Sequence, residues 1–182
     1  MDNGASSYRR FLDGEESAFD EIIKELFDKL VFFINRYVHD LHAAEDIAID
    51  VFSDLLVNRN RYNFKVSLKT YLFMLGRSRA LNYIKHRKVI DFVALENAEN
   101  NTENISLEET VIFEERKRVV NNALAKLTED MRVAVHLVYF ESLSYEEAAK
   151  VMKKTKKQVD NLLYRAKGEL RIILGKDGEL LL

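Results

Sequence analysis

With 182 residues, 47% of them hydrophobic, the chain can bury one large core or two small ones, and full disorder is excluded. It contains no cysteine, which removes disulfides and thiolate metal sites, and no proline, where ordinary usage would give about nine. A net charge of −2 taken alone argues against a nucleic-acid partner.

Strand-like alternation is scarce, so an all-α protein with short connections is expected. The opening MDNGASSYRR lacks the apolar core of a signal peptide, and no apolar run approaches membrane length. The expectation is a soluble, cytoplasmic protein without membrane insertion. Asp13 and Glu16 open the first long helix, about Glu15 to Val38. Its apolar residues Phe19, Ile22, Ile23, Leu26, Leu30, Phe33, Ile34 and Tyr37 recur at the spacing of a buried stripe. Asp40 is placed to cap a second helix, about Leu41 to Val57, in which Asp46, Asp50 and Asp54 fall at i, i+4 and i+8. Such a row is either a solvated face or a docking surface for a basic partner, and spacing alone favours the solvated face. Asn58 to Val66 reads as a polar, basic and aromatic loop. Ser67 caps a third helix to about Lys88, with Leu68, Tyr71, Leu72 and Leu75 inward.

Ala94 to Ile105, rich in Asn and Glu, reads as a flexible acidic linker. Ser106 with Glu109 forms a capping box that opens a helix to about Leu127, and Thr128 caps Glu129 to Phe140. Two further capping boxes, Ser144 with Glu147 and Thr155 with Gln158, start short helices separated by a tight turn. Ala148, Ala149 and Met152 mark the inner side of one helix; Val159, Leu162, Leu163 and Ala166 mark that of the other. This is a helix-turn-helix pattern, whose second helix normally enters the DNA major groove. The terminal GKDGELLL reads as a frayed tail. The expected division is a first domain over 1–92, a linker over 93–112 and a helix-turn-helix domain over 113–182.

Charge is distributed in blocks. Met1 to Asp54 carries 13 acidic and 5 basic residues, Leu55 to Ile90 nine bases and no acid, and Asp91 to Ile112 six acids and no base. Lys150 to Arg171 holds eight bases against two acids. Local potential, not the sum, steers a charged partner, so these blocks outweigh the net charge and make nucleic acid a plausible partner. Tyr62, Phe64, Tyr71, Phe73 and Tyr83 are interleaved with the nine bases. Positive charge beside flat rings is what holding single-stranded nucleic acid requires. Tyr71 sits at a core position, whereas Tyr62 and Phe64, in a polar loop, are harder to explain as core. His39, His42 and Asp46 have a spacing that metal sites use, but a histidine at a helix C-terminus is ordinary and no further ligand cluster accompanies them. No metal, no cofactor and no catalytic constellation are expected.

Several stretches resemble one family. AAEDIAIDVFSDLL is similar to the polymerase-binding helix of the extracytoplasmic-function (ECF) sigma factors of the bacterial sigma-70 family. DGEESAFDEIIKEL resembles that family's opening helix, and SLKTYLFMLGRSRALNYIKHRK its promoter-melting helix. ALAKLTEDMRVAVHLVYFESLSYEEAAKVMKKTKKQVDNLLYRAKGELR is similar, without gaps, to its last domain. The resemblance implies a specificity subunit with two helical bundles. Glu45, Asp46, Asp50, Phe52 and Asp54 would dock on the clamp of the largest polymerase subunit. Arg61, Tyr62, Asn63, Phe64, Lys65, Lys69, Arg77, Asn82 and Lys85 would take the −10 element as single strand, with a flipped base gripped in the Arg61 to Ser67 loop. Thr155, Lys156, Lys157, Asp160, Asn161, Tyr164 and Arg165 would serve the −35 duplex. The flap of the second-largest polymerase subunit, promoter DNA and an anti-sigma factor are the further partners implied.

Three departures from the family pattern stand out. Leu127-Thr128 replaces Leu-Pro, Lys153 replaces the turn glycine, and Asp160 replaces a residue that is usually basic. A carboxylate cannot bind phosphate favourably but can accept from cytosine N4. The rival expectation is a stand-alone helix-turn-helix regulator, which explains the C-terminal half equally well but not the basic, aromatic stretch before it.

Overall fold

The computed structural model describes residues 4–94, 120 and 122–174; the side chains of 88–94 are not described. Among these residues every regular element is helical. Helix α1 spans Ala5–Leu12, α2 Ser17–Val38, α3 Leu41–Val57 and α4 Leu68–Ala94. Residues 122–126 are helical, followed by α5 (Glu129–Val135), α6 (Tyr145–Met152) and α7 (Lys156–Leu174). Most of the expected linker, and the expected helix start at Ser106, lie outside the described residues. Helix α4 runs six residues beyond the expected end at Lys88.

The predicted caps hold where local chemistry dictates them. The Ala43 amide donates to Asp40 at 3.1 Å, and the Thr70 amide donates to Ser67 Oγ at 3.2 Å. Thr128 precedes α5 in extended geometry but its side chain makes no cap bond.

The first bundle packs the apolar stripe of α2 against α3 and α4. Leu26, Leu30, Phe33, Ile34, Val51, Leu55, Leu68, Leu72 and Phe73 are buried there. Gly76 lets α2 and α4 approach closely: a Cβ at that position would lie 2.8 Å from Leu30 Cδ1. Truncating Phe73, fully buried and 4.7 Å from the Phe33 ring, costs about 3–5 kcal/mol by the usual cavity argument.

Helix α1, which sequence periodicity does not reveal, closes the other end of this bundle. Tyr8 and Phe11 are buried, and the Tyr8 hydroxyl meets the carbonyls of Leu55 at 3.2 Å and Arg59 at 2.9 Å. The end of α3 and the loop after it are thereby fixed to α1.

The second bundle buries Leu127, Met131, Leu137, Leu143, Ala148, Val151, Val159, Leu163 and Leu170. Beyond α5 the chain makes a wider turn, in which the Glu141 amide donates to the His136 carbonyl five residues back at 3.0 Å. The two bundles are in contact, with the first turn of α4 lying against Glu141 and the start of α6.

Candidate nucleic-acid interface

Helix α3 presents Glu45, Asp46 and Asp50 outward, with Ile49 exposed between the acids. The acidic row does not continue to Asp54. Eight residues of helix advance about 80° past whole turns, which swings Asp54 away from Asp46. Its carboxylate accepts from Asn58 Nδ2 at 2.6 Å and from Arg61 at 2.9 Å, and pairs with Arg79 at 3.2 Å. Burial pushes its carboxyl up, but the Asn58 hydrogen bond and the two guanidinium charges outweigh that, leaving it below the ordinary value. Phe52, also expected to face polymerase, is 4% exposed and packs 5.9 Å from Phe27. Both expectations are corrected: Asp54 anchors the following loop and Phe52 belongs to the core. Ile49, Leu56 and Val57 are exposed apolar residues outside the set expected from the sequence. The signal for them is present in the sequence, because they fall off the buried stripe of the helix.

In the loop, the expectation for the rings is also corrected. Tyr62 is 3% exposed and its hydroxyl donates to the Val66 carbonyl at 2.6 Å. Phe64, half-buried, lies 4.6 Å from Tyr62 and 6.2 Å from Tyr8, with the Arg9 guanidinium 5.0 Å from its centroid. The loop therefore stands on a small aromatic core contributed partly by α1, and Tyr62 is not free to stack on a base. Arg61, Asn63 and Lys65 are exposed in the loop, Arg61 while paired with Asp54, and the Lys65 amide donates to Asn63 Oδ1 at 3.2 Å. Phe64 adopts φ 59°, in the left-handed region, which sharpens the turn between them.

On α4, Asn82 and Lys85 are exposed and Arg77 is half-buried beside Tyr37. Burial is the main cause pushing the Tyr37 phenol up to about 12, and Arg77 acts against it. Lys69 departs furthest from expectation. It is 7% exposed, its Nζ lies 2.7 Å from Glu141 Oε2, and it donates to the Glu141 carbonyl at 2.7 Å. In this structure it faces the second bundle, not solvent.

The helix-turn-helix forms as its capping pattern dictates. Ser144 and Glu147 complete a reciprocal box, and Thr155 does the same with Gln158 at 2.8 and 3.2 Å. Lys153 takes φ 54°, ψ 45°, the conformation glycine would supply. Val159, Leu163 and Ala166 point inward, whereas Lys157, Asp160, Asn161, Tyr164 and Arg165 are exposed along α7, Tyr164 to 81%. Thr155 uses its hydroxyl as a cap, and Lys156 Nζ pairs with Glu146 at 2.5 Å, so these two are partly committed within the domain.

Among the described residues no His, Cys, Asp and Glu grouping is arranged to hold a metal, and no helix is long and apolar enough to cross a membrane. His39 forms the left-handed end of α2, and the His42 side chain, 94% exposed, lies 3.8 Å from Glu45.

Comparison with known proteins joins these surfaces to one family. Residues 22–89 match Sigma-70 region 2 and residues 117–170 match Sigma-70, region 4. The RNA polymerase sigma-H factor of Pseudomonas aeruginosa is 28% identical over 163 residues, covering 85% of this chain and 84% of the relative. The ECF RNA polymerase sigma factor SigM of Bacillus subtilis is 24% identical over 164 residues, covering 86% and 95%. The fold matches the sigma factor RpoE solved with the anti-sigma factor NepR from Bartonella quintana, at TM-score 0.70, 19% identity and coverage of 87% and 98%. It also matches CnrH solved with the cytosolic domain of CnrY, at TM-score 0.62, 19% identity and 96% coverage of each. The chain belongs to the ECF sigma factors of the sigma-70 family, RNA polymerase subunits that direct transcription initiation and are not enzymes.

Proposed function

We propose that this sigma factor docks on the polymerase clamp through the exposed α3 face of Glu45, Asp46, Ile49 and Asp50. It receives the −10 element on Asn63, Lys65, Arg77, Asn82 and Lys85, and reads the −35 duplex with α7. The observation that carries this reading is the exposure pattern of α7. Val159, Leu163, Ala166 and Leu170 are buried in the bundle, while Lys157, Asp160, Asn161, Tyr164 and Arg165 form one outward, mostly basic and polar face. A helix so arranged places side chains where base edges and phosphates lie in a major groove.

The second DNA surface is smaller than the sequence suggests, because Tyr62 and Lys69 are committed inside the protein. Of the basic residues expected on α4, half-buried Arg77 and exposed Lys85 remain for single-strand capture. Replacing both with alanine is expected to lower promoter opening, seen as permanganate-reactive thymines, while core polymerase is still bound in a pull-down. Equal loss in both assays would refute the assignment. By analogy with the sigma factor RpoE, solved in complex with the anti-sigma factor NepR, an anti-sigma factor is the proposed regulator of this chain.

A further inference from the structure

An open cleft of about 580 Å³ lies between α2 and the chain from Leu124 to Glu141. Lys29, Phe32 and Arg36 stand on one face of α2, at i, i+3 and i+7, and form one wall. Arg132 and His136, four residues apart, line the other. Both walls therefore bring basic side chains to the same space. Glu141 is the acid at the cleft, and Lys69 already holds its carboxylate at 2.7 Å. Among the described residues, Lys29, Arg36 and Arg132 have no carboxylate within ion-pair distance.

The polar atoms of this cleft are also left without partners. Arg36 Nε, Asn35 Oδ1 and both ring nitrogens of His136 are buried with no hydrogen bond among the described residues, and His136 is 5% exposed. Buried donors left unmet cost free energy, so such a group calls for an explanation. Burial, then the charge of Arg132, pushes Arg36 below the ordinary arginine value, and Glu141 opposes this only in part. The Arg132 guanidinium is held in place by the Ala125 carbonyl, which accepts from it at 3.2 Å. An anion between the two guanidiniums would remove their repulsion and accept from their free N–H groups.

Two rings complete the lining. Phe32 and Phe140 are 61% and 57% exposed, and Phe140 stacks on His136 with planes 21° apart. A simple carboxylate would meet one guanidinium and leave the other unmatched, and inorganic phosphate would leave the rings unused. We propose that the cleft binds a nucleoside polyphosphate, its phosphates between Arg36 and Arg132 and its base against the rings of Phe32 and Phe140. The cleft has the volume that small-molecule sites require, roughly 300–1,000 Å³. None of its residues belongs to the surfaces proposed for the −10 or −35 element, so the site stands apart from that reading.

The test uses the full chain without polymerase. Calorimetric titration with metal-free ATP is expected to show binding at a single site. Inorganic pyrophosphate should bind about tenfold more weakly, because the ring contacts are missing. Arg36→Met, which keeps the apolar stem and removes the charge, should weaken ATP binding about tenfold or more. Lys157→Gln with Arg165→Gln, on the outward face of α7, should leave it unchanged. Absence of ATP binding, or loss in the α7 variant with none in Arg36→Met, would overturn the site. Pyrophosphate binding as tightly as ATP would overturn the nucleoside assignment.

A second measurement separates a ligand residue from a structural one. Without ligand, Arg36→Met should melt at the same temperature as the unaltered chain or higher, since it removes a desolvated charge that faces Arg132. With saturating ATP the unaltered chain should gain melting temperature and the variant should not. A lower melting temperature for the ligand-free variant, or an equal gain in both, would contradict the proposal.

Discussion

The Asp54 carboxylate lies 2.9 Å from the Arg61 guanidinium, so the last turn of α3 and the loop that follows it hold each other. Arg79 of α4 reaches the same carboxylate at 3.2 Å. This node ties α3, the loop and α4 into one unit, which distinguishes Asp54 from Asp46 although both belong to the same sequence motif.

Two substitutions on α3 should therefore behave differently. Asp46→Lys, on the exposed face, is expected to weaken core polymerase binding and leave melting temperature nearly unchanged, since isolated surface charges carry at most about 1 kcal/mol. Asp54→Ala is expected to destabilise the first bundle by about 1–3 kcal/mol, the usual cost of losing hydrogen bonds to a charged group. Thermal denaturation and core-binding affinity, measured on both variants, check this. The same profile for both would show that the row acts as one surface.

Recognition by α7 separates into positioning and specificity. If Arg165 contacts phosphate as proposed, Arg165→Ala should weaken binding to all −35 sequences alike, reducing the salt slope of the binding constant by about 1. Asp160→Ala should change base preference at one position, because a carboxylate accepts from cytosine N4. Selection from a randomised −35 library reads both effects. An unchanged sequence preference for the Asp160 variant would remove that residue from the readout.

Lys153 sits at φ 54°, where a side chain costs roughly 1 kcal/mol relative to glycine. Lys153→Gly should raise the urea midpoint slightly, the gain being reduced by the greater flexibility of glycine in the unfolded chain. A lower midpoint would mean that the Lys153 side chain, not its backbone, matters there.

Stability should also fall on mild acidification. Burial, then the charges of Arg36 and Lys69, pushes His136 down to about 3. The groups around it are Arg36 on α2, Lys69 on α4, and Glu141 on the turn after α5, with the Phe33 and Phe140 rings alongside. In the unfolded chain a histidine takes up a proton near pH 6.5, whereas folded His136 stays neutral to about 3. The unfolded state thus binds more protons as pH drops below 6.5, and stability falls by up to about 1.4 kcal/mol per unit. Asp54 and Glu147 have carboxyls held below their ordinary values, so their losses come at lower pH. Urea titrations at pH 7, 6 and 5 should show this decline, and His136→Phe should flatten it. A decline of the same slope in that variant would assign it to other groups.

What is legible in the sequence is local. The capping boxes at Ser144 and Thr155, the left-handed Lys153 and the inward side of α7 all follow from residues within a few positions of one another. Burial of Tyr62 is not legible, because it depends on Tyr8 and Phe11 folding back from α1, a helix too short to show a clear period. Lys69 and Glu141 are 72 positions apart, and no local pattern reports such a pair. Asp54 departs from the expected row because even spacing of acids suggests one face, although the helix rotates between them. The sequence proposes the interfaces; which side chains stay exposed on them is decided by packing.

That this chain directs RNA polymerase to start transcription is tested most directly by run-off transcription. Purified core polymerase is used on templates selected by the protein–polymerase complex. Discrete transcripts are expected that require both core polymerase and this protein, and that are lost with Asp46→Lys. Transcripts of the same yield without the protein, or promoter binding by the protein alone as a dimer that leaves core polymerase unbound, would contradict that role.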